Sequence, residues 1–108
     1  MEKRHGKTRK YPLIEFMKKH LKIRIHGKVQ GVYFRATAVD KAHLYSVSGF
    51  TRNESDGTVY IEAEGEEESL KKFVEWCHIG SPRAIVEEVV IVEGDLKHYQ
   101  NFITVRVI

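Results

Sequence analysis

The 108-residue sequence is poor in the features that mark secreted and membrane proteins. Cys77 is its single cysteine, so no disulfide can form within the chain, and a reducing, cytoplasmic setting is expected. No apolar run approaches the roughly 18 residues of a membrane span, and the polar N-terminal part lacks a signal-peptide stretch. The six histidines lack the spacing of zinc ligands, so no metal is expected. The sequence predicts one small domain with a hydrophobic core and no membrane contact.

Positive charge is concentrated near the N-terminus. Residues 1–20 contain seven lysines and arginines against two glutamates, a net +5, so the rest of the chain carries −2 of the total +3. We divide the chain into a basic extension, residues 1–19, and a folded domain, residues 20–108. One interpretation of the extension is a disordered tail, or translation that starts at Met17. The other is an electrostatic contact with nucleic acid or another polyanion.

Hydrophobic periodicity predicts the order β-α-β-β-α-β, followed by a closing strand. "LKIRIHG" alternates as a half-buried strand does, and a helical pattern runs from Phe34 to about Ser46. Asp56-Gly57 is a hairpin signal between two further strands. The second helix carries an apolar stripe at helical spacing, made of Leu70, Phe73, Val74 and Cys77. This order is typical of an α+β ferredoxin-like split βαβ sandwich, with two helices on one face of an antiparallel sheet.

The segment "HGKVQGVYFR", residues 26–35, joins the first strand to the first helix. Its two glycines allow the backbone to curl so that successive N–H groups point inward. The helix N-terminus adds positive dipole character, and Arg35 can clamp two oxygens of a phosphate. From these residues alone, an anion-binding loop and a structural turn with a solvated arginine both fit. Because strands joined by a βαβ crossover run in the same direction, Asn53 is expected at the same sheet edge as Arg35.

Two long motifs give the sequence a resemblance to a known family. "GKVQGVYFR", followed by "GFTRNESDGTVYIEAEG", resembles the acylphosphatases. In that family a Gly-x-Val-Gln-Gly-Val-x-Phe-Arg loop precedes the first helix, and a Gly-Trp-Val-x-Asn-x-x-Asp-Gly-x-Val segment covers the next two strands. "GSPRAIVEEV" is similar to the family's segment after the second helix, and the resemblance spans roughly residues 20–108. Phe50 and Thr51 stand where the family often has Trp and Val, a departure that concerns local packing.

The resemblance implies an enzyme that hydrolyses acyl phosphates, which are carboxyl–phosphate anhydrides, to a carboxylate and phosphate without a metal or cofactor. It makes Arg35 the phosphate-binding arginine and Asn53 the residue that holds the attacking water. The phosphate would be cradled by the backbone N–H groups of Val29, Gln30, Gly31, Val32, Tyr33 and Phe34. The expected partner is a small acyl phosphate, such as acetyl phosphate, carbamoyl phosphate or 1,3-bisphosphoglycerate, and the expected state is a monomer.

Other interpretations stay open at this point. "CHIGSPR", residues 77–83, matches the C-x-x-G-x-x-R loop of cysteine-dependent phosphatases. Cys77, however, completes the apolar stripe at a helix C-terminus, where the dipole disfavours a thiolate, so we expect a core residue. The fold also occurs in RNA-recognition domains, but Glu62 and Glu64 face outward and would repel a phosphate backbone, so nucleic-acid binding by the domain is not expected. A catalytically idle phosphate-binding domain and a polyanion-binding module acting through the extension are the remaining alternatives.

Overall fold

A computed structural model gives the fold of residues 18–106. The described elements follow the predicted order: β1 (Lys18–Lys28), α1 (Phe34–Leu44), β2 (Ser48–Asn53), β3 (Val59–Glu66), α2 (Glu67–Ile79), β4 (Ile85–Gly94) and β5 (Phe102–Thr104). The predictions for residues 1–17, which include most of the basic extension and Met17, lie outside the described residues. No helix in the described part is both long and apolar enough to cross a membrane.

The strands form one sheet in the order β4-β1-β3-β2-β5. The first four strands of this order are antiparallel to their neighbours, whereas β5 pairs with β2 in parallel. Both helices pack on one face of this sheet and share its core. The predicted ferredoxin-like architecture is confirmed, and the closing strand is the one that makes the sheet mixed.

The helix ends follow from local backbone chemistry. Helix α1 ends at Leu44, two residues before the expected Ser46, because Ser46 adopts a left-handed φ of 60° that a right-handed helix cannot accommodate. Helix α2 begins with two glutamates in its first turn, where the helix dipole favours negative charge. It ends at Gly80, which has φ 79° and leaves the helix at the predicted stop.

The core lies between the helices and the face of the sheet that they cover. Ile23, Ile25 and Ile61 are fully buried at its centre, on the face that alternation assigns to the interior. The predicted stripe of α2 packs against them, with three of its four residues buried and Val74 partly buried. Full burial of each such large apolar side chain contributes about 1.5–3 kcal/mol, so the helices are held mainly by this contact.

The other face of the sheet is crossed by the connection between β4 and β5, residues 95–101. This connection covers the predicted outward residues of β3, so Glu64 is only 5% exposed and not solvated as expected. Five side chains, which we call the open-face network, form hydrogen bonds or close contacts beneath and beside it: His20, Tyr60, Glu62, Glu64 and Tyr99.

The open-face network pairs nearly all its polar atoms. Nδ1 of the fully buried His20 lies 2.7 Å from Oε2 of Glu64, and its Nε2 lies 2.9 Å from Oε1 of Glu62. The second is a close contact and not an aligned hydrogen bond. Glu64 also accepts the backbone N–H groups of Lys97 and Tyr99, which ties the crossing connection to the sheet.

Strand β4 is one edge of the sheet, and its ten residues are mostly exposed. Val90, Ile91 and Val92 are each 39–58% exposed along it. The same strand carries the exposed carboxylates of Glu87, Glu88 and Glu93. Charged side chains on an edge strand discourage pairing with another chain. On β4 the exposed apolar side chains therefore lie beside carboxylates that disfavour such pairing.

Candidate active site

Three strand ends meet at one edge of the sheet. Strands β1 and β2 are both antiparallel to β3, and β5 is parallel to β2, so β1, β2 and β5 all end on the same side. A cleft of about 460 Å³ opens between these ends and the start of α1. It is lined by Val29, Gly31, Tyr33, Phe34, Arg35, Ala36, Asn53, Thr104 and Arg106. Another cavity, of about 580 Å³ at the opposite sheet end, contains none of the predicted site residues.

Gly27 turns the end of β1 toward this cleft. The pairing of β1 with β4 shifts register between His26 and Gly27, as at a β-bulge. Gly27 has φ 134°, and a Cβ placed on it would lie 2.1 Å from the carbonyl oxygen of Ile85. Only glycine combines this backbone conformation with so close an approach of β4, so this glycine fixes where the loop after β1 begins.

The backbone of the loop after β1 curls in the way that an anion-binding nest of N–H groups requires. Gly31 and Tyr33 have positive φ angles of 74° and 64°, while the side chains of Val29, Val32 and Phe34 are buried and hold the loop to the core. Within residues 18–106, the backbone N–H groups of residues 29–34 donate no hydrogen bond to another residue. Alternating right- and left-handed residues with unpaired N–H groups form an anion-binding concavity.

Helix α1 adds its own unpaired groups to this loop. Tyr33 is its N-cap residue, and its side chain makes no capping hydrogen bond. The first turn contains no acidic side chain, so nothing there offsets the positive end of the helix dipole. Arg35 lies in this first turn, lines the cleft and forms no ion pair with another residue of the described range. The site is therefore rich in positive potential and unpaired donors.

Asn53 forms the opposite wall, at the last position of β2. Its Oδ1 is buried, yet accepts no hydrogen bond from any described residue. A buried carbonyl oxygen without a partner costs about 1–3 kcal/mol, so this atom is unusual in the described part of the chain. The residue itself lines the cleft, which places its side-chain amide beside the space where the predicted role requires a water. That role stays a prediction.

Gln30 braces the two walls against each other. Its Nε2 donates to the carbonyl oxygens of Glu54 and Thr58, at 2.8 and 2.9 Å, in the turn that follows Asn53. Thr58 is itself held through hydrogen bonds to Asp56, and these lower the pKa of the Asp56 carboxyl. Sequence reasoning assigned only the backbone of Gln30 to the site. Nothing in the pattern indicated that its side chain reaches residues 24 and 28 positions away.

Arg106 and Thr104 are cleft residues that sequence reasoning missed. The parallel register pairs Thr51 with Thr104, and the N–H of Val105 donates to the carbonyl of Thr51 at 2.8 Å. Continued by two residues, this register sets Arg106 beside Asn53. A closing strand was predicted, but its pairing with β2 was not. This pairing brings Arg106 to the cleft.

Cys77 has the core role expected of it. The thiol is fully buried in α2, and this burial raises the pKa of Cys77 far above its usual range. A thiol that stays protonated is a poor nucleophile, so the match to the cysteine-phosphatase loop has no chemical counterpart at this residue. In the described residues, no three His, Cys, Asp or Glu side chains are grouped as ligands for a metal ion.

Comparison with known proteins agrees with the fold that carries this cleft. The acylphosphatase family model matches residues 21–104. An acylphosphatase of Marinobacter nauticus is 51% identical over 69 residues, which is 64% of this chain and 75% of that protein. The solved acylphosphatase structures of Coxiella burnetii and Bacillus subtilis superpose with TM-scores of 0.80 and 0.79, at 33% and 35% identity. They cover 83% and 81% of this chain, and 95% and 98% of their own chains.

Proposed function

This chain belongs to the acylphosphatase family and hydrolyses acyl phosphates, and from that premise we propose how its cleft performs the reaction. The phosphoryl group binds in the cradle formed by the N–H groups of residues 29–34, with the guanidinium of Arg35 on two of its oxygens. The amide of Asn53 holds the attacking water. The observation that carries this proposal is that Arg35 and Asn53 line one cleft beside a loop whose N–H groups, like the Arg35 guanidinium, have no partner among residues 18–106.

The reaction needs little more than these groups. In a loose phosphoryl-transfer transition state, charge accumulates on the phosphoryl oxygens, and fixed N–H dipoles with one guanidinium stabilise it. The water oxygen attacks phosphorus in line with the breaking bond to the acyl oxygen. The leaving group is a carboxylate, a weak base that departs without a general acid, so the chemistry requires no metal to stabilise it.

The proton of the attacking water has no protein base at this position, because the Asn53 amide does not accept a proton at neutral pH. We assign that proton to a non-bridging oxygen of the phosphoryl group itself. The products are then a carboxylate and a protonated phosphate, and all atoms and charges balance. Asn53 orients the water through its side-chain amide, and the substrate serves as its own base.

The test compares wild type, Arg35→Ala and Asn53→Ala with benzoyl phosphate as substrate and a chelator present. We expect Arg35→Ala to raise KM and lower kcat, with kcat/KM reduced about 10³-fold, since it removes charge stabilisation in both ground and transition states. Asn53→Ala should lower kcat about 10²-fold with little change in KM. Undiminished rates in both variants would refute the assignment, and a rate that disappears with the chelator would refute metal independence.

We also propose that the protein is a monomer in the cytoplasm. Its free Cys77 suits a reducing compartment, and the acidic side chains along the β4 edge disfavour association through that strand. Light scattering coupled to gel filtration should give the mass of one chain, and a dimer mass would contradict this.

The predicted boundary after residue 19 is two residues too late, because Lys18 and Lys19 already pair with β3 as the start of β1. We propose that the part of the basic extension before β1, residues 1–17, lies outside the catalytic domain. Deleting residues 1–16 should leave kcat and KM for benzoyl phosphate unchanged. If the extension binds polyanions, the deletion should also abolish any salt-sensitive affinity for nucleic acid. A loss of activity on deletion would assign part of the site to the extension.

A further inference from the structure

Ser81 lies in the turn between α2 and β4, inside the "CHIGSPR" segment whose cysteine has no catalytic role. Its side chain is 2% exposed, and its Oγ donates a 2.7 Å hydrogen bond to the carbonyl oxygen of Val32, 49 residues away in sequence. Val32 belongs to the proposed cradle, yet Ser81 does not line the cleft. A buried serine thus contacts the cradle from its protein side.

This hydrogen bond fixes the direction of one peptide group. In a trans peptide the carbonyl and the N–H point to opposite sides, and every described peptide bond is trans. The carbonyl of Val32 points at Ser81, so the N–H of the same peptide, which belongs to Tyr33, points away from Ser81. Tyr33 lines the cleft, and its N–H donates to no other described residue. That N–H is therefore unpaired and lies on the side of the peptide opposite Ser81.

The turn that carries Ser81 is itself held in place. Gly80 has φ 79°, and a Cβ on it would lie 2.9 Å from the ring of Phe34 and 3.1 Å from the Cβ of Ala84. The N–H of Ala84 donates to the carbonyl of Ser81 at 2.9 Å. The backbone of the turn thus packs directly beneath the cradle, and Ser81 has a defined position from which to donate.

We propose that Ser81 is a positioning residue for phosphoryl binding, which orients the Val32–Tyr33 peptide so that the Tyr33 N–H faces the phosphoryl oxygens. The inference rests on the proposed function of the cradle. Ser81 touches neither substrate nor the reacting atoms. It holds a peptide next to Tyr33, whose left-handed φ of 64° is one that non-glycine residues rarely occupy without support from their surroundings.

The test measures Ki for inorganic phosphate as a competitive inhibitor, together with kcat, KM and Tm. Ser81→Ala should raise both Ki and KM about five- to tenfold, the scale of one hydrogen bond. Ser81→Thr keeps the hydroxyl and should restore Ki to within about twofold. Thr51→Val is the matched control, because it also removes a buried hydroxyl but one with no partner and outside the cleft, and it should leave Ki unchanged.

Arg35→Ala separates this inference from the proposed function beneath it. If Arg35→Ala raises the phosphate Ki while Ser81→Ala leaves it within twofold of wild type, the cleft binds phosphate and the role of Ser81 is refuted. If neither variant changes Ki, the cradle assignment itself fails. If Ki rises equally in Thr51→Val, the rise in Ser81→Ala reflects general destabilisation and not the loss of this particular hydrogen bond. That result would also refute the proposal.

A second measurement needs no variant. In a ¹H–¹⁵N spectrum of the wild-type protein titrated with inorganic phosphate, the Tyr33 amide proton should move downfield as it acquires a charged acceptor. Amides outside the cleft, such as that of Lys72 in α2, should stay in place. A Tyr33 amide that does not respond while the Arg35 resonances do would overturn the proposal, whether or not the Ser81 variants fold.

Discussion

The cleft and the open-face network are both built from polar side chains, but they treat those side chains in opposite ways. In the network, Glu62 and Glu64 accept hydrogen bonds from tyrosine hydroxyls, backbone N–H groups and the His20 ring. In the cleft, the loop amides, Arg35 and the Oδ1 of Asn53 have no protein partner in the described range. The first arrangement satisfies nearly all of its polar groups internally, the Nε2 of His20 excepted, and the second leaves them unpaired for the ligand that we propose.

The titration behaviour of the network reflects this saturation. Burial opposes the ionisation of Glu62, but hydrogen bonds from Tyr60 and Tyr99, with the His20 ring, hold its pKa below the ordinary 4.5. Burial likewise opposes ionisation of Glu64, and the N–H groups of Lys97 and Tyr99 with His20 still lower its pKa. Burial and the bond to Glu62 raise the pKa of Tyr60 and of Tyr99 to about 12. The carboxylates are thus held ionised and the phenols protonated.

The difference between the two regions indicates which residues contribute to stability and which to activity. A saturated buried network contributes to the native state and is costly to break, because each lost partner leaves another group unsatisfied. In the function that we propose, a cleft with unpaired groups contributes little to stability and binds an anion that supplies the missing partners. Substitutions in the two regions should therefore separate cleanly into effects on unfolding and effects on rate.

The largest stability effect is expected from Glu64→Ala. This change leaves two backbone N–H groups and the buried ring of His20 without an acceptor, so the free energy of unfolding should fall by about 3 kcal/mol. Urea unfolding followed by circular dichroism measures it. Glu66→Ala, at an exposed position on the same strand, is the control and should change stability by less than about 0.5 kcal/mol. A kcat reduced at a temperature where Glu64→Ala is folded would contradict the separation of the two regions.

Acid should weaken the same network by a smaller amount. A carboxyl whose pKa is lower in the folded state contributes stability at pH values above its unfolded pKa, about 4.5, and loses it as pH falls through the folded value. The loss is smaller than in Glu64→Ala, because a protonated carboxyl still fills the space and keeps acceptor oxygens. Unfolding free energies measured from pH 6 to pH 2.5 should fall below pH 4.5 in wild type. A Glu62→Gln/Glu64→Gln variant should show a shallower slope, and parallel curves would exclude the network as the cause.

Gln30→Ala should show intermediate behaviour, because Gln30 is a cleft-loop residue whose side chain is fully engaged. Loss of its two hydrogen bonds to the β2–β3 turn should lower the free energy of unfolding by about 1–2 kcal/mol. It should also lower kcat about tenfold, because the distance between the cradle and Asn53 is no longer braced. Gln100→Ala removes an exposed glutamine with a single 3.3 Å contact and serves as the control. A variant that loses stability but keeps full kcat would show that the brace is only structural.

Thr51→Val should have the smallest effect on stability of these substitutions. Its Oγ1 is buried without a partner, like the Oδ1 of Asn53, but it faces the core and not the cleft. Removing an unsatisfied hydroxyl should leave the free energy of unfolding unchanged or raise it by up to about 1 kcal/mol. Thermal unfolding checks this, and a marked destabilisation would mean that the hydroxyl has a partner, such as a buried water.

Sequence patterns predicted the parts of this molecule that depend on neighbours along the chain. The stripe of α2, the Asp56-Gly57 turn and the order of elements all follow from local periodicity and turn chemistry. Topology alone also predicted that Arg35 and Asn53 would lie at one sheet edge. Their catalytic roles came from the resemblance to a family, and they stay predictions until the variants are measured.

The remaining features depend on contacts between residues that are far apart in the sequence. Such contacts leave no periodic pattern in a single sequence. The bonds from Ser81 to Val32 and from His20 to Glu64 join residues 49 and 44 positions apart. The alternating pattern of β3 correctly predicted that Glu64 faces away from the core, but it could not indicate that residues 95–101 would cover this side chain. Arg106 was missed for the same reason, since its place in the cleft follows from the pairing of β5 with β2.

The acidic edge strand has a practical consequence for handling this protein. Glu87, Glu88 and Glu93 are the charges that discourage an incoming strand from pairing beside the exposed apolar side chains of β4. We expect Glu88→Val to raise the turbidity of concentrated samples, whereas Glu88→Lys, which keeps a charge on the strand, should leave it low. Charge on this strand, rather than added reductant for the inaccessible thiol, is then what keeps preparations clear.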